Sequence, residues 1–182
     1  VQYQDDAQHI EAALRERFAK FGLELHPEKT QVISFGRYER ENAKRQNRRT
    51  NSFDFLGFTH YCDSSRKGKF IVGRKTSGKK FRMKCKELND WLRKIRNYQK
   101  TKEWWPTLQA KLRGHYQYYG VSGNMRSLQR FYWLTVRMTL KWLNRRSQRK
   151  SFSWKSFHEY LEHYPLPKPR IAHNFYTLSP VK

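Results

Sequence analysis

The chain of 182 residues carries 39 Lys and Arg against 15 Asp and Glu, a formal charge of +24. Such a charge repels itself in a compact state and is normally held for a polyanionic partner, above all nucleic acid, with a membrane surface the lesser alternative. No apolar run approaches the roughly 20 residues of a spanning helix and no segment has the pattern of a signal peptide, so the chain reads as soluble and cytoplasmic.

With 11 Tyr, 12 Phe and 6 Trp the sequence is too aromatic for a disordered basic tail. Cys62 and Cys85, the only cysteines, are too few for a disulfide framework. From Ala7 to Phe21, apolar Ile10, Leu14, Phe18 and Phe21 recur with charges between them, which predicts an amphipathic helix ended by Gly22. Asp5 or Asp6 as its N-cap, with the other favouring the positive end of the helix dipole, accounts for both aspartates. Next, LELHPEKTQVISFGR predicts an extended entry, a turn at His26-Pro27 and a strand from Gln31 to Phe35. YERENAKRQNRRTNS has no period and is expected to be a mobile loop. FDFLGFTHY alternates as a second strand, and SSRKGKFIVGRKT as a Gly-punctuated turn with a short third one.

From Lys79 the period becomes 3.6. Phe81, Cys85, Leu88, Leu92 and Ile95 form one stripe, with Arg82, Lys86 and Arg93 on a different side. A further helix runs from Trp105 to Val121, with Pro106 near its first turn and a stop at Gly120 to Gly123. Asn124 is placed to cap the next, from Met125 to Ser147. That helix puts Leu128, Phe131, Thr135, Met138 and Trp142 on an apolar face and Arg126, Arg130, Arg137 and Lys141 on the opposite side. Ser153 caps a short helix through His163, and the Pro-rich tail is extended. These elements predict an α+β fold, with a strand-containing module over residues 1–76, a helical bundle over 77–150, and a C-terminal helix and tail over 151–182.

An RNA surface needs cations at phosphate spacing and planar groups for unpaired bases. The candidates are Arg82, Lys86, Arg93, Arg126, Arg130, Arg137 and Lys141, with Arg113 and His115 beside a tyrosine cluster. A charge run on a helix is usually a solvated face, but acidic partners here are too scarce to pair these. Trp91, Phe131 and Trp142 are at helical spacing and read as core. Of Tyr116, Tyr118 and Tyr119, at least one is expected at the surface. HEYLEH at 158–163 has its second histidine one residue late for a zinc-protease motif. His60 and Cys62 are two ligands without a second pair, so no metal site is assigned.

Three ordered blocks, FGLELHPEKTQVISFGR, FDFLGF and LRGHYQYYGVSGN, resemble successive segments of the group II intron reverse transcriptase/maturase family, particularly its bacterial members. The resemblance spans nearly the whole chain. It implies the end of a reverse-transcriptase palm, with short antiparallel strands, followed by a helical thumb, also called the maturase or X domain. By the same resemblance Lys29 contacts the phosphates of an incoming nucleotide, with a solvated turn lysine as the alternative. Phe55, Leu56 and Gly57 match a primer grip, where close backbone approach favours glycine; a buried strand is the plainer account of Phe55 and Leu56.

VQYQDD also spells the metal-binding hairpin of reverse transcriptases, but AQHIEAALRERF after it has helical rather than strand period. On this alignment the family's metal-binding aspartates lie upstream of Val1, so the chain is not expected to polymerise alone, and Mg2+ is expected only for an intact polymerase. The implied partners are structured intron RNA, an RNA/DNA template-primer duplex and an upstream fingers-palm segment. A generic basic scaffold and an inert relic remain the alternatives.

Overall fold

The computed structural model describes residues 4–27, 30–65, 67–146 and 152–175. Its contacts divide the chain into two compact units, Val1–Asn51 and Ser52–Lys182, so the division does not fall at the composition shift near Ser77-Gly78. Together the elements make a mixed α+β architecture, a small antiparallel sheet followed by a helical bundle.

In the first unit, α1 spans Gln4–Ala19 and α2 spans Glu39–Arg45. Asp5 and Asp6 lie inside the first turn of α1 rather than capping it, where carboxylates favour the positive end of the dipole. Glu11–Arg15 at 2.7 Å and Glu16–Lys20 at 2.8 Å are pairs four residues apart on the helix surface. Gly22, at φ +67°, supplies the left-handed residue that ends the helix. The N–H of Leu23 then bonds the carbonyl of Phe18 and that of Gly22 the carbonyl of Ala19, both at 3.0 Å, a Schellman closure.

The predicted strand over 31–35 is irregular backbone, and the segment expected to be a mobile loop contains α2. Alternation assigns the two faces of a strand, but a ladder needs a neighbour, and among the described residues no strand pairs with 31–35. The loop is ordered by one carboxylate. Glu39 is 2% exposed and receives both guanidinium amines of Arg48, at 2.5 and 3.1 Å, the N–H of Asn51 at 2.8 Å and the hydroxyl of Ser34 at 3.1 Å. The bonds from Arg48, then those from Asn51 and Ser34, outweigh the opposing effect of burial and pull the Glu39 pKa down to about 2.

The second unit begins with a meander: β1 (Ser52–Phe55), β2 (Phe58–Ser64) and β3 (Phe70–Thr76), antiparallel in the order β1-β2-β3. FDFLGFTHY is therefore a hairpin, not one strand. Leu56 at φ +48° and Gly57 at φ +82° form its two-residue turn, the mirror-type geometry that suits the right-handed twist of the strands. Four helices follow: α3 (Gly78–Ile95), α4 (Thr101–Tyr119), α5 (Met125–Asn144) and α6 (Trp154–His163). Ser77 caps α3 by accepting from the N–H of Lys80, and Ser153 caps α6 by accepting from that of Ser156. The carboxylate of Glu103 accepts from the N–H of Lys100 at 3.1 Å, which starts α4 a turn earlier than Pro106 suggested.

The core lies among these helices. Leu88, Leu92, Trp104, Leu108, Leu112, Leu128, Val136 and Phe157 are buried, with Phe81, Cys85 and Ile95 partly buried against them. Asn124 precedes α5 but makes no side-chain cap there. Its fully buried amide accepts from the N–H of Thr76 at 2.8 Å and donates to the Thr76 hydroxyl at 2.9 Å and the Tyr119 carbonyl at 2.8 Å. The last strand is thus tied to the α4–α5 turn. The tail crosses the same turn, where the N–H groups of Ala172 and His173 bond the carbonyl of Gly120 at 2.6 and 2.9 Å. A Cβ on Gly120 would lie 2.1 Å from the Tyr116 carbonyl oxygen and 2.8 Å from that of Arg170, so only glycine fits under the tail.

Asn124→Ala leaves buried polar groups on Thr76 and Tyr119 without partners and is expected to cost about 3 kcal/mol, read from the urea midpoint; Asn124→Asp, which cannot donate, should not rescue it. Since the folded pKa of Glu39 is lowered, its contribution is full above about 4.5 and fades as pH falls towards about 2. Amide exchange over residues 34–51 should quicken across that window, and Glu39→Gln should remove the pH dependence while quickening exchange at neutral pH.

Candidate nucleic-acid interface

Helices α3 and α5 pack side by side and run parallel. Phe81 meets Phe131 near their starts, with ring centroids 6.2 Å apart; Asn89 accepts from the indole N–H of Trp142 at 2.9 Å; and Arg96 donates to the Arg145 carbonyl at 3.0 Å near their ends. Helix α4 packs across the pair and runs antiparallel to both, with Trp104 against Trp91 and the His115 ring against Phe131. These pairs fix how each helix is rotated. At about 100° per residue, Arg82, Lys86 and Arg93 fall within about 40° on α3, and Arg126, Arg130, Arg137 and Lys141 within about 60° on α5. All seven are exposed. Each stripe lies on the side of its helix away from α4, so the two flank the α3–α5 seam on one outer face.

That face also holds an aromatic. Trp133 is 55% exposed and, three residues after Arg130 and four before Arg137, falls on the same stripe of α5. Its position is readable from the same spacing that reveals the arginines, yet it escapes a reading that treats the aromatics of this helix as core.

Helix α5 contains no Asp or Glu, and among the described residues none of the seven cations makes an ion pair; of the two carboxylates on α3, Glu87 is bound to Lys84 at 2.9 Å, and Asp90, which stands between Lys86 and Arg93, is in ion-pair contact with neither. Ring faces restrain part of the charge instead. Arg130 lies over Phe81 at 5.3 Å, and Trp142 is approached by Arg96 at 4.8 Å, Lys141 at 4.9 Å and Arg145 at 5.5 Å. A ring quadrupole attracts a cation without neutralising it, so these groups are positioned while their charge stays available.

The other sequence-predicted residues are placed elsewhere. Arg113 is exposed on α4, beyond the α3–α5 pair. His115 is 8% exposed, stacked on Phe131 with centroids 3.8 Å apart and planes 13° apart. Burial, aided by the charge of Lys84, lowers its pKa to about 4, so at neutral pH it is uncharged and adds nothing to a cationic surface. Of the three tyrosines, Tyr118 is the exposed one, at 55%, while Tyr116 and Tyr119 are buried.

Phe55 and Leu56 are 59% and 68% exposed, which overturns the buried-strand account of both. Leu56 sits in a left-handed conformation uncommon for a bulky residue, and the turn is held by the Tyr118 hydroxyl donating to the Leu56 carbonyl at 3.0 Å and by the Ser77 N–H donating to the Gly57 carbonyl at 2.9 Å. The close approach that favours glycine at 57 is to Tyr119, whose hydroxyl would be 3.3 Å from an added Cβ. Lys29 lies outside the described residues.

Among the described residues no group of three His, Cys, Asp or Glu could hold a metal ion, and Asp5 and Asp6 stand in a helical turn, so the described donors do not fit a two-metal polymerase centre. No described helix is long and apolar enough to cross a membrane. No family model, curated protein or solved structure matches the chain.

The lowered pKa of His115 means that its neutral form stabilises the fold fully above its ordinary value near 6.5, and that this contribution is lost as pH falls through about 4. An NMR titration should find the His115 ring unprotonated at pH 5.

Proposed function

We propose that the chain binds structured RNA through the α3–α5 face, as the C-terminal part of a group II intron reverse transcriptase/maturase. The observation that carries this reading is the pair of parallel cationic stripes with Trp133 among them and no carboxylate on α5. Seven cations that make no ion pair among the described residues suit counterion release from a phosphate backbone, and an exposed indole beside arginines suits an unpaired base. In this reading residues 1–76 correspond to the end of the palm, 77–150 to the thumb/maturase bundle and 151–182 to its C-terminal helix and tail. The order of the blocks FGLELHPEKTQVISFGR, FDFLGF and LRGHYQYYGVSGN supports that assignment.

The mechanism is binding rather than bond-making. A protein that binds only the folded form of an RNA stabilises it by RT ln(1 + [L]/Kd), about 2.7 kcal/mol when free protein is a hundredfold over Kd. That suffices to rescue a marginally folded ribozyme, whose own active site performs the splicing. In an intact protein the same face would lie along a template-primer duplex.

Binding to a folded group II intron RNA and to duplex DNA of equal length, across a series of salt concentrations, tests the reading. A preference for the RNA that persists at high salt is expected; affinities that are equal and collapse together would sink it in favour of generic polyanion binding. The double variant Arg126→Ala with Arg137→Ala should flatten the slope of log K against log salt by about two units. Arg130 is spared because its guanidinium lies over Phe81. Trp133→Ala should weaken binding to single-stranded segments by about 1–3 kcal/mol with the slope unchanged.

A further inference from the structure

Between the first half of α3, the second half of α4 and the Leu56–Gly57 turn lies a cavity of about 650 Å3, within the range of small-molecule sites. It opens on the α4 side of α3, away from the cationic stripes. Its wall includes Leu88, Leu112 and Phe131, and the turn closes one end, held there by Tyr118. His115 belongs to this wall, and its Nε2 is buried with no hydrogen-bond partner among the described residues. Such an orphan is costly unless something bonds it.

Three lysines line the space, Lys80 and Lys84 from α3 and Lys111 from α4, against the single carboxylate of Glu87, which Lys84 already binds; the Lys111 ammonium rests over the Trp91 ring at 5.0 Å, which leaves its charge available. A purely apolar ligand would leave the lysines unused, and a bare anion would leave the aromatic wall and the orphan nitrogen unused. One ligand chemistry meets all three: a heteroaromatic ring with polar edge atoms, joined to a phosphate.

We propose that this cavity binds a mononucleotide unit. The ring lies against the wall at His115, where a shift of the imidazole along Phe131 brings its Nε2, buried in the free protein, to a ring-edge atom. Neutral histidine presents a donor or an acceptor according to tautomer, which tolerates more than one base. The phosphate is held at the rim by Lys80 and Lys111. The unit is either a free nucleotide or an unpaired nucleotide of a bound strand. Because the site uses the opposite side of α3, it does not depend on the α3–α5 face.

Gly114 provides the test. It lines the cavity from α4, and a Cβ built on it has nothing within 4 Å. Gly114→Phe therefore projects a ring into open space while replacing a poor helix former. Calorimetric titrations use the full chain with adenosine monophosphate, adenosine, inorganic phosphate and a short single-stranded RNA. Saturable binding of the monophosphate or the strand is expected, weakened at least about tenfold in Gly114→Phe, with Gly114→Ala as the size control and the melting temperature unchanged or raised. Lys80→Ala with Lys111→Ala should weaken the monophosphate but not adenosine, and, both positions being exposed, carries the test if Gly114→Phe fails to fold.

Sensitivity of the monophosphate to these changes supports a free nucleotide as the ligand; sensitivity of the strand alone supports an extruded one. Binding unchanged in both variants, absent for both ligands, or equalled by inorganic phosphate overturns the proposal. Loss of the salt slope in the Arg126 and Arg137 variant reports on the α3–α5 face alone, so the two readings fail separately.

Discussion

One carboxamide holds the second unit in register. Asn124 is the point at which β3, the end of α4 and the start of α5 meet, and its buried amide engages a backbone N–H, a hydroxyl and a backbone carbonyl at once. No other small side chain offers two donors and an acceptor in one plane. Because Thr76 is fixed, Ser77 is placed to cap α3 and to bond the Gly57 carbonyl, and the hairpin turn is brought onto Tyr118 and Tyr119. The orientation of α3, and with it one of the two cationic stripes, follows from that alignment. A buried polar group of this kind adds less net stability than specificity: an apolar residue would fill the space but would not say which strand end belongs there.

The charge of the bundle is organised by a similar economy of partners. The helices bury aromatic and aliphatic faces against one another, and the cations left outside have almost no carboxylates to meet. Several rest on rings, so Trp142 serves as core on its edge and as a cation platform on its face. This keeps flexible guanidinium and ammonium groups in narrower ranges, which lowers the entropic cost of ordering them against a partner. Residual repulsion along the stripes destabilises the free protein modestly, and any polyanion that relieves it gains that energy as affinity.

The helical half was largely legible in the sequence because amphipathic period, caps and breakers are local. The stripe from Phe81 to Ile95 and the apolar face of α5 point where the spacing placed them. Where the reading failed, the deciding interactions were distant or single. FDFLGFTHY alternates on both sides of Leu56-Gly57, so only the two positive φ angles distinguish a hairpin from one strand, and leucine is a weak signal for the first of them. The 38–52 segment has no period, yet Glu39 orders it through partners five, nine and twelve residues away. His115 looked cationic by residue type, and only its burial, against Phe131 sixteen residues along on another helix and near the charge of Lys84, makes it neutral. The cavity left no trace in the sequence at all, since it exists only where the hairpin turn docks against two helices.

The strap over Gly120 bears on the order in which the second unit can assemble. The helices themselves and the α3–α4 and α4–α5 contacts, Trp91 with Trp104 and His115 with Phe131, close over short separations, but the α4–α5 turn is completed from both sides, by Thr76 48 residues upstream of Asn124 and by Asn174 52 residues downstream of Ser122. Closing such loops costs chain entropy that grows only logarithmically with length, yet it must be met before the contacts reward it, which slows the step. The bundle is therefore built to condense first from local helical pairs, with the tail locking afterwards. During synthesis the turn would emerge, pair with the sheet already made, and wait with the Gly120 carbonyl in water until the last segment arrives to cover it.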